Sequence, residues 1–155
     1  MYPEEFTALF NTILINVTAF FRDDGAWTYL QQEILPRLLN EKSPEAPIRV
    51  WSAGCASGEE AYTVAMILAE ILGPAPFRQR VKIYATDVDQ EALSQARHAR
   101  YRAQDVQSIP EAWRDKYLER LGDPCVFRPD LRRCVIFGRH DLVQDAPISR
   151  LDLLV

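Results

Sequence analysis

The stretch Ser52-Ala53-Gly54-Cys55-Ala56-Ser57-Gly58-Glu59-Glu60 joins a short apolar run, residues 48–53, to residues 59–72, whose apolar positions recur at helical spacing. Only Arg49 and Ser52 interrupt the first run, and Ala61, Val64, Ala65, Leu68 and Leu72 share one face of the second. A glycine turn between two such runs marks a strand-turn-helix unit. Helix N-termini carry partial positive charge and free N–H groups that attract anions. Here Glu59 and Glu60 already supply negative charge at that end, so the turn disfavours a phosphate and favours a ligand with cationic parts.

Downstream, Gly73-Pro74 stops the helix, residues 81–86 read as a second strand and residues 89–98 as a second helix. The βαβα order predicts a parallel sheet and an α/β fold. Residues 110–121, with Trp113, Tyr117 and Leu121, form a further helix candidate. Residues 126–127 and 134–137 form either a strand pair or one strand after a loop, and residues 151–155 read as a buried parallel strand.

Upstream, Phe6, Leu9, Phe10, Ile13 and Leu14 predict an amphipathic helix over residues 3–16. A second helix begins after Asp23-Asp24-Gly25 with an aspartate as cap, places Trp27, Leu30, Ile34, Leu35, Leu38 and Leu39 on its apolar side, and is bent or restarted by Pro36. The polar, proline-bearing residues 41–47 then separate an N-terminal helical segment, 1–40, from a domain over 41–155.

The chain has 155 residues, of which 48% are hydrophobic and 26% charged, with a net charge of −4. This is the composition of a globular domain with a real core, and its charge gives no reason to expect nucleic acid as a partner. Arg97, Arg100 and Arg102 read as a solvated face. No apolar stretch is long enough to span a membrane, and the residues after Met1 lack the character of a signal peptide, which predicts a cytoplasmic location. Cys55, Cys125 and Cys134 have no CxxC spacing and are expected to be free thiols. His98 and His140 have no partner pattern for a metal or a catalytic triad and read as structural; no metal site is expected.

Ligands of open parallel sheets bind beyond the carboxyl ends of the strands. The glycine turn sits at one such end and Asp87 at the next. An acid there can accept both hydroxyls of an adenosine ribose; its plainer reading is a helix cap beside Asp89. The turn fails the dinucleotide pattern GxGxxG, since Ala56 and Glu59 stand where the second and third glycines belong. Gly54 and Gly58 still let backbone approach a ligand closely. Glu59 or Glu60 can pair with an ammonium group, or both can merely complement the helix dipole, worth about 0.3–1 kcal/mol each. Phe20, Phe21 and Trp51 read as core.

Three separated blocks carry a resemblance: residues 16–23 (Asn-Val-Thr-Ala-Phe-Phe-Arg-Asp), residues 48–62 around the glycine turn, and residues 84–89 (Tyr-Ala-Thr-Asp-Val-Asp). In this order the chain closely resembles the chemotaxis-receptor glutamate methyltransferases, the CheR family. Residues 139–142 and 149–155 look most like members fused to other signalling domains. The resemblance implies a Rossmann-like class I methyltransferase fold, represented in part and preceded by N-terminal helices. It implies S-adenosylmethionine as cofactor, with Asn16, Thr18 and Arg22 lining the site, one of Glu59 and Glu60 on the methionine ammonium with Glu60 the better candidate, Asp87 on the ribose, and Asp141-Leu142 flanking the adenine. Many relatives have Asn-Leu at that last pair, so Asp141 is a departure. Glu60→Gln or Asp87→Ala is then expected to weaken cofactor binding with little loss of fold.

The implied activity is methyl transfer to glutamate side chains on cytoplasmic receptor helices. The acceptor carboxylate, with an ordinary pKa of about 4.3, is already ionised, so orientation and desolvation rather than a strong base supply the rate. The resemblance places Arg22 near that carboxylate; the competing reading is a surface salt bridge to Asp23 or Asp24. In the family, the strand at residues 151–155 continues into several more strands, so the chain is expected to be part of a longer domain with an exposed strand edge. Two other functions compete: a non-catalytic binding module within a sensory protein, and a small-molecule methyltransferase of similar fold.

Overall fold

The computed structural model describes residues 17–120 and 122–155. The expected helix over residues 3–16, and Asn16 with it, lies outside the described residues. The first described helix is a rod of three parts: α1 (Asp24–Tyr29), a π-helical turn (Leu30–Ile34) and α2 (Leu35–Asn40). Pro36 has no N–H to give to the preceding turn. The widened turn just before it, where the Leu35 N–H reaches back to the Leu30 carbonyl, absorbs that loss and lets the helix resume. Asp23 occupies the cap position, but its side chain makes no capping hydrogen bond; its main-chain carbonyl accepts from Trp27 N instead.

The strand-turn-helix unit forms where the pattern places it, as β1 (Ile48–Ala53) and α3 (Glu59–Leu72). Gly73 ends α3, and Pro74 then opens a short helix, α4 (Pro74–Arg80), which the sequence reading took only as a stop. Proline suits a first helical turn because its φ is preset and its missing N–H would be unpaired there anyway. β2 (Val81–Asp87) and α5 (Gln90–His98) follow, with the Asp89 carboxylate capping α5 through the N–H groups of Glu91 and Ala92. Next come β3 (Arg100–Tyr101), α6 (Glu111–Tyr117), β4 (Leu118–Arg120), β5 (Cys125–Phe127), α7 (Pro129–Arg132), β6 (Val135–Arg139) and β7 (Leu153–Leu154).

The strands make two sheets. One is parallel, in the order β6-β2-β1-β7, and the other antiparallel, in the order β3-β5-β4. The runs read as a possible strand pair therefore belong to different sheets: β5 lies between β3 and β4, while β6 pairs with β2 from Ile83↔Val135 to Asp87↔Arg139. The expected helix over 110–121 gives way at Leu118 to β4, which turns Leu118 inward and Glu119 and Arg120 outward. The last strand is shorter and less buried than expected; Leu154 is 59% exposed on the sheet edge. Asp152 fastens it, accepting from Arg49 N at 2.8 Å and from Lys42 Nζ at 2.7 Å.

Helix α3 is buried along almost its whole length and on nearly every side, beyond the single face that periodicity indicates. The parallel sheet covers one side. An aromatic cluster covers the other, where Tyr62 stacks on Phe127 at 4.4 Å and Phe20 meets Tyr101 edge-on at 4.9 Å. Phe20, Leu30 and Leu35 share one core with the sheet, so the segment carrying Thr18 and Arg22 is held against α3 by packing.

Candidate functional site

The parallel sheet reverses its order at β1, whose neighbours β2 and β7 belong to opposite excursions of the chain. The glycine turn sits at the carboxyl end of that strand. Gly54 N and Cys55 N both donate to the Thr86 carbonyl, at 2.8 and 2.9 Å, and Ala56 N donates to Asp87 Oδ2 at 2.8 Å. The turn is thus clamped onto the tip of β2.

Its two glycines do different work. Both have positive φ, +76° at Gly54 and +95° at Gly58. A Cβ on Gly54 would meet nothing within 4 Å, whereas one on Gly58 would lie 3.0 Å from the Ala96 methyl and 3.2 Å from the Phe137 ring. Gly58 lets α3 approach α5 and β6; the expectation that it approaches a ligand is not met, and Gly54 alone faces the cleft.

The glutamates separate too. Ser52 Oγ donates to Glu60 Oε1 at 2.7 Å, leaving the rest of the Glu60 carboxylate open to a cleft. Glu59 is only 8% exposed, and both its oxygens accept from Ser57 Oγ, at 2.9 and 2.7 Å. Burial pushes its carboxyl above the usual range, against the lowering influence of the Ser57 and Thr18 hydroxyls.

The cleft, of about 270 Å³, is lined by Val17, Thr18, Arg22, Trp27, Gly54, Ala56, Glu60 and Asp87. A more apolar groove of about 680 Å³ adjoins it, sharing Arg22, Trp27 and Glu60 and adding Leu30, Ile34 and residues 153–155. Phe21 adopts a left-handed conformation, φ +51°, between the buried Phe20 and the exposed Arg22, and packs on Trp27 and Trp113. The Arg22 guanidinium donates to the Val17 carbonyl; among the described residues it makes no ion pair with Asp23 or Asp24.

Asp87 is not a helix cap. Its Oδ2 accepts from Ala56 N and its Oδ1 from Asp89 N, at 2.8 and 2.9 Å. A carboxylate has about four lone-pair sites, so each oxygen can accept once more. Asp141 and Leu142 are not on the cleft lining. They follow β6 in a loop tied to β2 by His140 N donating to the Asp87 carbonyl at 3.0 Å; Asp141 Oδ1 accepts from Val143 N and Gln144 N, and Leu142 is 59% exposed. The structure thus brings together Thr18, Arg22, Gly54, Glu60 and Asp87 and leaves Glu59, Asp141 and Leu142 outside the lining.

Residues 16–155 match the family described as CheR methyltransferase, SAM binding domain. The chain belongs to this family. Its similar proteins include the chemotaxis protein methyltransferase of Listeria innocua, 34% identical over 98% of this chain and 55% of that protein. The chemotaxis protein methyltransferase of Borreliella burgdorferi is 36% identical over 92% of this chain and 52% of that protein. A protein of Rhodobacter capsulatus described as an uncharacterized 104.1 kDa protein in the hypE 3′ region is 33% identical over 97% of this chain and 16% of its own length. The chain spans about half the length of the two methyltransferases.

In this CheR-family domain the donor set suits S-adenosylmethionine, which carries an ammonium, a sulfonium, a carboxylate and a ribose. Glu60 and Asp87 offer acceptors at neighbouring strand tips, and Arg22 offers one guanidinium on the cleft lining. Cys55 is buried and off the cleft lining, and burial, then the negative charge of Asp87, pushes its thiol up to about 12. All three cysteines are free, and no group of His, Cys, Asp and Glu among the described residues is arranged to hold a metal. No described helix is long and apolar enough to cross a membrane. Trp51 is core, its Nε1 donating to Thr86 Oγ1 at 2.8 Å. Sequence reasoning missed Val17 and Trp27 as cleft walls, and missed Ser52 as the group that aims Glu60; a serine interrupting an apolar strand just before the glycine turn was the available signal.

Proposed function

We propose that this chain is the cofactor-binding part of a cytoplasmic protein-glutamate O-methyltransferase acting on the helices of methyl-accepting chemotaxis receptors. One observation carries the reading: two carboxylates, Glu60 and Asp87, and one guanidinium, Arg22, line a single cleft beyond the strand ends. S-adenosylmethionine supplies an electrophilic methyl group on its sulfonium. Glu60, aimed by Ser52, holds the ammonium; Asp87 uses its remaining lone pairs for the ribose hydroxyls; Gly54 leaves room for close approach of the ligand. Thr18 completes the wall from the N-terminal side; Asn16, which the resemblance adds to the site, lies outside the described residues. Asp141 and Leu142 lie off the cleft lining, but His140 N ties their loop to the Asp87 carbonyl at 3.0 Å, and from beside that strand tip they flank the adenine.

Arg22 stands where the polar cleft meets the apolar groove. From there it orients the acceptor glutamate, while the groove along Trp27, Leu30 and Leu154 excludes water from the incoming helix. No group has to remove a proton, because the acceptor is ionised at neutral pH. The relative in which the matching region is 16% of the protein shows that such a domain can sit within a much larger chain, and the alternative reading is a non-catalytic cofactor- or partner-binding signalling module. Transfer of a labelled methyl group to receptor membranes by the intact protein separates the two.

Calorimetric titration with S-adenosylhomocysteine is the direct test. Glu60→Gln is expected to lower affinity about tenfold or more, the usual effect of losing a charge-assisted hydrogen bond. Unchanged affinity, or tighter binding of NAD than of S-adenosylhomocysteine, would refute the pocket. Asp87→Ala is a poorer probe than the sequence suggests, because it also strands the N–H groups of Ala56 and Asp89.

A further inference from the structure

A second cavity, of about 430 Å³, lies behind the glycine turn between α5, α7 and β6. Its walls carry Arg97, Arg132 and Arg133 together with Tyr62, Val135 and Phe137, and among the described residues no carboxylate lines it. In a chain of net charge −4 this is a local inversion of sign. The nearest acid along the chain, Asp130, is paired with Arg78 at 3.1 Å.

The guanidiniums are placed by the fold. Arg97 donates to the Phe137 carbonyl at 3.3 Å and Arg132 to the Arg97 carbonyl at 3.1 Å, which fixes both against backbone while leaving other N–H donors free. The Arg133 side chain has no hydrogen-bond or ion-pair partner among the described residues. Gathering like charges in one concavity raises the local potential, and an occupant of opposite sign relieves it. Arginine forks match phosphate oxygens in pairs, and the open cavity has the volume of a small-ligand site.

We propose that this cavity is a second ligand site, independent of the cofactor cleft, that binds a small phosphorylated anion through Arg97, Arg132 and Arg133. Tyr62 and Phe137 form its inner wall, and Phe137 also packs against Gly58, which separates the two sites.

Calorimetry of the purified protein with inorganic pyrophosphate and, separately, with ATP tests this. Saturable binding of one equivalent is expected, weakened about tenfold or more by Arg133→Gln and by Arg132→Gln, and unchanged by Arg102→Gln or by saturating S-adenosylhomocysteine. Arg133→Gln removes no side-chain hydrogen bond or ion pair among the described residues, so it remains informative if Arg132→Gln fails to fold. Binding of pyrophosphate but not ATP supports the site and makes the free anion its ligand; binding of both makes it a site for phosphate esters. No saturable binding of either, binding of ATP alone, displacement by S-adenosylhomocysteine, equal affinity in Arg133→Gln, or tighter binding of a polyglutamate peptide than of pyrophosphate would each overturn the proposal.

Discussion

Replacing Gly58 and Gly54 by alanine, one at a time, separates packing from binding in a single turn. At Gly58, φ of +95° is strained for an L residue by about 1–2 kcal/mol. The new methyl would also press on the Ala96 methyl at 3.0 Å and the Phe137 ring at 3.2 Å. Overpacking of that kind adds about 1–3 kcal/mol, because α5 and β6 are held by the sheet and cannot both withdraw. Gly58→Ala should therefore lose a large share of a typical stability of about 5–15 kcal/mol. Gly54→Ala, with open space around its Cβ, should lose only the backbone strain, about 1–2 kcal/mol. Its methyl would instead stand in the cleft beside Glu60 and Asp87 and weaken S-adenosylhomocysteine binding. Urea unfolding followed by tryptophan fluorescence, with unchanged m-values, reads the first difference; calorimetry reads the second. Equal destabilisation by the two substitutions would refute the packing argument. Undiminished affinity in Gly54→Ala would refute the placement of ligand against the turn.

Two further outcomes concern charge. Burial raises the Glu59 carboxyl above its ordinary value of 4.5, so the folded protein holds that proton more tightly than the unfolded chain does. Its contribution is fully present below that value and is lost as pH rises through the folded pKa; Glu59→Gln should remove this decline from the stability profile, and an unaltered pH dependence would refute the reasoning. Asp152 behaves oppositely: burial works to raise its pKa, but Lys42 and the Arg49 N–H outweigh burial and hold it below 3.8. It therefore stabilises above pH 3.8 and ceases to do so as pH falls through the folded value. Asp152→Asn should lose about 1–2 kcal/mol at neutral pH and almost nothing in strong acid, as measured by denaturant unfolding at both pH values.

Elements whose pattern is complete within a dozen residues were legible before any coordinates. Residues 48–53 and 59–72 became β1 and α3 because strand and helix periods show directly in the spacing of apolar residues, and the βαβα order then required a parallel sheet. Gly54, Asp87 and the Glu59-Glu60 pair, though not which of the two, were legible as neighbours of the cleft for the same reason: a turn and a strand tip are local features whose position relative to a parallel sheet is known in advance. The three blocks of family resemblance added Thr18 and Arg22, which no local pattern would have placed at the cleft.

Tertiary structure decided what depends on the neighbour rather than the run. The runs at residues 126–127 and 134–137 are both short, and only packing against β3 or β2 sends one to each sheet. Glu59 and Glu60 are chemically alike in sequence, yet a 100° step around the helix puts one under Thr18 and Ser57 and the other in the cleft. Gly58 and Gly54 share a backbone conformation, but only the approach of Ala96 and Phe137 distinguishes them. Arg97 reads as one member of a solvated series with Arg100 and Arg102, and the fold alone sets it beside Arg132 and Arg133. Periodicity records which side of an element avoids water; it holds no information about which distant surface will cover it, because that contact exists only once the chain has closed upon itself.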